Sequence, residues 1–101
     1  MTTSEDTEPR YVVSIAASML GVKTHTLRYY EKIGVIQPSR SRGNIRLYSD
    51  QDIIRLRRVK TLMNDMGINM AGVEVILRLS EQMMELQRRI AELESELGKV
   101  V

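Results

Sequence analysis

The sequence contains no cysteine, phenylalanine or tryptophan, and it has a single histidine among its 101 residues. Without cysteine the chain forms neither a disulfide bond nor a thiolate metal site, and one histidine with scattered carboxylates does not make a zinc cluster. We expect no metal and no cofactor. Because large aromatic side chains are missing, the core must consist of aliphatic residues, methionine and a few of the four tyrosines. So modest a core predicts support from a second subunit.

Long apolar runs are also missing. None approaches the roughly 18 residues that a transmembrane helix requires, and the sequence has no signal peptide. With 43% hydrophobic and 28% charged residues, the composition is typical of one soluble globular domain. A phosphate-binding glycine loop and a carboxylate pair in an apolar setting are absent as well. We therefore expect a cytoplasmic protein that is not an enzyme and does not insert into a membrane.

Basic and acidic residues are separated along the chain. Residues 11–60 carry ten basic and three acidic side chains, a net charge of +7, whereas residues 61–101 carry four basic and seven acidic side chains, a net charge of −3. Residues 1–10 form a polar, acidic stretch that predicts a flexible tail. The basic middle indicates a polyanionic partner, although such charges can also merely solvate helix surfaces.

A helix-turn-helix is predicted at the start of the basic region. Ser14 can cap a first short helix, Gly21 supplies a tight turn, and Thr24 can cap a second helix that runs to Ile33. Two short helices across a three-residue turn have the geometry of a bihelical DNA reader. The predicted DNA contacts cluster at the start of the second helix: Lys23, Thr24, His25, Thr26, Arg28 and Tyr29.

These candidates differ in what their chemistry supports. Arg28 leads because arginine suits both guanine edges and phosphate. His25 can contact a base or only water, and Tyr30 is expected to pack in the core.

A basic β-hairpin wing is predicted after the second helix. Gly34 ends the helical period, and an extended run interrupted by Pro38 resumes at Ile45. The loop 39–44 combines a Gly-Asn turn signal with two arginines, which indicates a mobile, positively charged tip. Strand alternation predicts that residues 46 and 48 face outward. The predicted wing contacts, with phosphate favoured over bases, are those of Arg40, Arg42, Arg46 and Tyr48.

Two further helices are predicted to complete a DNA-binding domain over residues 11–79. Ser49 opens a capping box and a third helix, on which Lys60 either contacts the DNA backbone or remains solvated. Asn69 can cap a short fourth helix over residues 70–79.

Apolar residues at alternating spacings of three and four run along the C-terminal part of the chain. Polar residues flank this stripe on both sides, so the stripe is narrow, as in a contact between two helices. We predict a coiled-coil dimerisation helix over residues 80–101. The alternative is an amphipathic helix that folds back on its own domain. The predicted interface residues are Ile76, Leu79, Met83, Leu86, Ile90, Leu93, Leu97 and Val100.

The segments 26–31, 34–36 and 42–48, with the sequences TLRYYE, GVI and RGNIRLY, resemble the MerR family of bacterial transcription regulators. The resemblance covers nearly the whole chain. It implies an all-α fold with a small β-hairpin wing: a winged helix-turn-helix followed by a long C-terminal antiparallel coiled-coil dimerisation helix. It also implies a homodimer that binds and bends pseudo-palindromic promoter DNA, with Arg28 and Tyr29 at DNA-contacting positions.

Within the family, the chain is most similar to the heat-shock-repressor and nitrogen-regulator branches, partly through residues 67–73. Metal-sensing members place cysteines near the dimer helix, so sensing through those ligands is excluded here. Drug-sensing and cobalamin-sensing members carry a further domain after that helix. We expect either a minimal regulator, whose signal arrives through a protein co-regulator or DNA competition, or the DNA-binding part of a longer chain. The alternative function is a protein-binding adaptor that uses the heptad helix.

Overall fold

The computed structural model describes residues 6–100, and for Val100 it describes the backbone alone. Residues 1–5 of the predicted tail and the predicted interface side chain of Val100 therefore lie outside the described part. The elements in chain order are α1 (Val13–Leu20), α2 (Thr24–Lys32), β1 (Ser39–Arg40), β2 (Arg46–Leu47), α3 (Asp50–Lys60), a π-helical turn (Thr61–Asp65) and α4 (Met70–Val100). The predicted combination of helices, a two-stranded hairpin and a long C-terminal helix is confirmed.

The chain divides into two compact units, Met1–Ile68 and Asn69–Val101. In the first unit, α1 packs against both α2 and α3. Ala16 and Ala17 are buried on α1, where their small side chains allow neighbouring helices to approach closely. Leu27 of α2 and Leu56 of α3 are fully buried, so both helices contribute to one aliphatic core.

The predicted tight turn between α1 and α2 is confirmed. Gly21 has a φ of +68°, a left-handed conformation that glycine adopts without steric cost. Its N–H donates to the Ser18 carbonyl oxygen at 3.2 Å, and the Val22 N–H donates to that of Ala17 at 3.0 Å. These bonds satisfy carbonyl groups that the end of α1 leaves without helical partners.

The two predicted serine and threonine caps are wrong. Val12 is the N-cap of α1 and Lys23 is the N-cap of α2, so Ser14 and Thr24 both lie inside their helices. Neither N-cap residue offers a side-chain hydrogen bond to the helix. Packing of an apolar helix face supplies most of the stability of a short helix in a folded protein, so these helices start without a side-chain cap.

The hairpin is shorter and tighter than the sequence predicts. Its strands pair antiparallel, with Ser39 opposite Leu47 and Arg40 opposite Arg46. The turn closes through hydrogen bonds between residues 41 and 45, and Asn44 has a left-handed φ of 61°. Arg40 therefore lies in a strand, whereas the prediction placed it in a mobile loop.

Residues 6–11, which include part of the predicted tail, are held by main-chain hydrogen bonds. Tyr11 and Tyr48 exchange N–H···O bonds of 2.9 and 2.8 Å, and the Gln51 N–H donates to the Asp6 carbonyl oxygen at 2.9 Å. The Tyr11 hydroxyl also donates to Asp50 Oδ1 at 2.6 Å. The chain entering α1 is thus fastened to the start of α3.

The predicted capping box at α3 is confirmed. Ser49 Oγ accepts from the Asp52 N–H at 3.1 Å, and Asp52 Oδ2 accepts from the Ser49 N–H at 2.9 Å. Asn69 caps the next helix as predicted, because its Oδ1 accepts from the Gly72 N–H at 2.9 Å.

The helix predicted to stop at residue 79 continues to Val100 as one helix of 31 residues. Residues 73–97 contain neither glycine nor proline, so nothing in the sequence interrupts it. Ion pairs at helical spacing join Arg88 to both Glu85 and Glu92 on its surface. Within residues 6–100, no helix combines the length and the apolar character that crossing a membrane demands.

Candidate nucleic-acid interface

The first two turns of α2 present an exposed, basic surface. Lys23, His25, Arg28 and Tyr29 are exposed, and two of the other predicted contacts, Thr24 and Thr26, are half-buried. Lys23 supplies no side-chain cap, and the first turn contains no acidic residue. The positive end of the helix dipole and its first N–H groups are therefore not compensated by a local carboxylate, which makes this end attractive to an anion.

Adjacent tyrosines on α2 take different roles. Tyr30 is buried, as predicted, and burial raises the pKa of its hydroxyl. Tyr29 is 49% exposed, and its ring centroid lies 6.2 Å from that of Tyr30 in a tilted arrangement. The buried ring thus supports an exposed one next to Arg28. Within residues 6–100, Arg28 has no hydrogen-bonding or ion-pairing partner, which leaves its guanidinium available to a ligand.

Glu31, in the last turn of α2, binds the two wing strands. Its Oε1 accepts from Arg40 Nη2 at 2.8 Å, and its Oε2 accepts from Arg46 Nε at 2.8 Å. The hydrogen bond to Glu31 is the main cause that raises the pKa of Arg46. The sequence did not predict these ion pairs, because the two arginines lie nine and fifteen residues from Glu31 and no local pattern pairs them.

The remaining wing arginine, Arg42, lies in the turn and is exposed. The structure thus separates the predicted wing residues into a tip arginine and two strand arginines that already bind a carboxylate.

The prediction that Tyr48 faces outward is wrong. Tyr48 is completely buried, and among the described residues its hydroxyl is the one buried side-chain polar atom without a hydrogen-bond partner. Desolvation, followed by the negative charge of Glu31, raises the pKa of this hydroxyl. A side chain with no exposed surface does not reach DNA, so we withdraw Tyr48 from the predicted contacts.

Replacing Tyr48 with phenylalanine should leave the protein as stable as before or raise its free energy of unfolding by about 1 kcal/mol, because an unpaired buried hydroxyl is costly. DNA affinity should not change. Urea unfolding at one protomer concentration measures the first effect. A loss of about 1 kcal/mol or more would show that the hydroxyl has a stabilising partner.

Three basic side chains of α3 bind main-chain carbonyls of the first unit. Arg57 Nη2 donates to the Met19 oxygen at 3.1 Å, and Lys60 Nζ donates to the Leu20 oxygen at 2.9 Å. Both cations thereby lie at the negative end of the α1 dipole. Arg55 Nε donates to the Val35 oxygen at 2.8 Å. Part of the basic charge that indicated a polyanionic partner thus stabilises the fold.

The predicted stripe on α4 is exposed in the single chain. Leu86 is 64% exposed and Ile90 54%, whereas Ile76 is half-buried. Exposed side chains of the stripe are Leu79, Met83, Leu86, Ile90, Leu93 and Leu97.

In the part of the chain that the structure describes, no group of three or more histidine, cysteine or carboxylate side chains could hold a metal ion.

The fold is that of a winged helix-turn-helix protein. It combines a basic helix whose N-terminal dipole no local carboxylate compensates, a turn closed by Gly21, and a hairpin fastened to that helix. The sequence profile described as "MerR HTH family regulatory protein" matches residues 11–80. The chain belongs to the MerR family, and the predicted membership is confirmed.

Named relatives agree with this assignment. The chain is 47% identical over 94 residues to a Streptomyces coelicolor protein described as heat shock protein HspR, with 93% of this chain and 62% of that protein covered. It is 34% identical over 77 residues to the HTH-type transcriptional regulator GlnR of Bacillus anthracis, with 76% of this chain and 59% of that protein covered. The chain spans about three fifths of the length of these curated relatives.

A solved structure has the same fold. The crystal structure of HiNmlR, described as a MerR family regulator lacking the sensor domain and bound to promoter DNA, matches with a TM-score of 0.59 at 23% identity, covering 86% of this chain and 77% of that one. These matches do not favour the alternative of a protein-binding adaptor.

Proposed function

We propose that this chain binds promoter DNA as a homodimer in the bacterial cytoplasm and regulates transcription there. The observation that carries the proposal is the exposed, basic N-terminal face of α2, whose helix end lacks a compensating carboxylate. Membership in the MerR family supports it, and in HiNmlR a chain of this fold is bound to promoter DNA.

In this proposal α2 is the recognition helix, and its first two turns enter the major groove. Arg28 reads a base edge, since its guanidinium is unpaired within residues 6–100. Tyr29 and His25 lie beside it on the exposed surface. Lys23 and the first N–H groups of α2 bind phosphate, with Thr24 and Thr26 at the edge of the contact.

The wing and α3 supply contacts to the DNA backbone. Arg42 carries an exposed charge at the wing tip, so it binds phosphate. Arg40 and Arg46 share their charge with Glu31 and therefore release fewer counterions than free arginines. Lys60 has two N–H donors beyond the one that binds Leu20, and these remain for a backbone contact.

Dimerisation is proposed through the stripe on α4. A helix of 31 residues extends about 46 Å at 1.5 Å per residue, long enough for a continuous seam with a second copy. The antiparallel orientation of the two helices and the bending of DNA are proposed from the resemblance to the MerR family. A two-fold symmetric dimer reads two half-sites, which makes a pseudo-palindromic operator the expected target. The signal that controls binding is proposed to arrive through a protein co-regulator.

Duplexes selected by the purified protein from a randomised pool should contain a pseudo-palindrome. On the selected duplex, Arg28→Ala should weaken binding by about 1–3 kcal/mol and relax the preference at one position in each half-site. Arg42→Ala should weaken binding to all sequences alike and reduce the slope of log affinity against log salt by about one unit.

Repeating the selection with each variant, together with salt titrations, distinguishes the two roles. No enrichment by the wild-type protein would contradict the proposed function. Equal weakening on every sequence by Arg28→Ala would instead make Arg28 a phosphate contact.

A further inference from the structure

The wing contains an unfavourable pairing. Arg40 and Arg46 lie directly opposite each other in the antiparallel register, and like charges in that position destabilise a strand pair. Each strand has only two residues, and a two-stranded hairpin of this size is at best marginally stable in water. Something outside the hairpin must therefore hold it together.

The carboxylate of Glu31 meets that need. It accepts hydrogen bonds of 2.8 Å from both arginines, one from each strand, and so replaces a repulsion by two charge-assisted bonds. The Glu31 side chain is 20% exposed and that of Arg46 29%, so solvent screens this part-buried pair less than a surface ion pair, whereas Arg40, at 39%, is the more exposed partner. Because Glu31 belongs to α2, the same bonds fasten the wing to the proposed recognition helix.

We infer that Glu31 is a positioning residue, which sets the distance between wing and recognition helix and thereby provides discrimination between operator and random DNA. This inference rests on the proposed function. The geometric reason is that a wing in fixed position reaches its phosphates only when the recognition helix lies correctly in the groove. A wing that is not fixed to the helix binds phosphate groups on DNA of any sequence.

The negative charge of Glu31 and its positioning of the wing have opposite effects on DNA affinity, so the two effects can be measured separately. Replacing Glu31 by glutamine removes a negative charge beside DNA, which favours binding to any sequence. It also releases the wing, which disfavours the operator alone. Discrimination between sequences therefore reports on position, and affinity for random DNA reports on charge.

The test compares wild type, Glu31→Gln and a charge-matched control, Glu74→Gln, which alters an exposed residue of α4 outside the stripe. The probes are a duplex selected by the wild-type protein and a duplex of equal length and random sequence. Glu31→Gln should reduce the affinity ratio between them by about tenfold or more, with random-sequence affinity unchanged or higher. Glu74→Gln should keep the wild-type ratio. A wild-type ratio in Glu31→Gln would overturn the inference, whether or not the two affinities change together.

A second measurement needs no DNA. Hydrogen exchange of the Ser41 N–H, which donates to the Ile45 oxygen across the turn, should be about tenfold faster in Glu31→Gln. The double variant Glu31→Gln with Arg40→Gln removes the like-charge pair and should recover part of the protection. Unchanged exchange in Glu31→Gln would overturn the inference, as would no recovery in the double variant. Failure of the wild-type protein to enrich any duplex from the randomised pool would instead contradict the proposed function, and the exchange data would remain interpretable.

Discussion

Leu86→Asp should dissociate the proposed dimer and abolish tight binding to a two-half-site operator. Leu86 lies in the middle of the α4 stripe, and a second copy seated on that stripe would bury it. An unpaired carboxylate in such a seam costs several kcal/mol, and a two-fold dimer contains the change twice. Sedimentation equilibrium at micromolar protomer concentration measures the dimer, and gel-shift titration measures operator affinity.

Met84→Asp is the matched control for this change. Met84 is an exposed apolar residue two positions away on the same helix but outside the stripe, so it receives the same charge without entering the seam. It should leave both the dimer and the DNA affinity as in the wild type. Equal dissociation by the two variants would indicate loss of helix α4 itself. A wild-type monomer that still binds two half-sites tightly would refute the proposed dimer.

Leu56→Ala should lower the free energy of unfolding by about 2–5 kcal/mol. Leu56 is completely buried on α3, and truncation leaves a cavity that the surrounding aliphatic core fills only in part. Ile54→Ala, two residues away on the same helix, removes a side chain that is 58% exposed and should cost about 0.5 kcal/mol or less.

Urea unfolding at one fixed protomer concentration tests this pair, because the stability of a dimer depends on concentration. Domains of this kind have a total stability of about 5–15 kcal/mol, so the larger change also threatens folding at physiological temperature. Similar losses from both variants would contradict the burial difference between the two faces of α3.

The features that the sequence determined depend on local rules. Gly21 predicted the turn because few other residues adopt its φ at low cost, and the Ser49 capping box connects groups only three residues apart. The spacing of three and four along α4 predicted one continuous apolar stripe, since a helix repeats every 3.6 residues whatever surrounds it. These patterns predicted the fold and the position of the proposed recognition helix.

The sequence did not determine the helix caps or the helix ends, because the local signals for them are weak. The starts of α1 and α2 do not use Ser14 or Thr24, and α4 does not stop at residue 79. A capping residue contributes about 1 kcal/mol, and packing of the helix face outweighs it. Local signals therefore located these helices but did not fix their boundaries.

Only the tertiary structure decided which polar groups are available to a partner. Strand alternation says that neighbouring side chains point to opposite faces, but it does not say which face the core covers. Tyr48 is buried, opposite to the prediction, and Ile45 is exposed. The partners of Glu31 and of Lys60 are likewise far away in sequence, and the fold alone brings them together. The net charge thus indicated a polyanionic partner. Only the three-dimensional contacts show that Arg28 and Arg42 are available to it, whereas other arginines and Lys60 already bind this chain's own carboxylate and carbonyl groups.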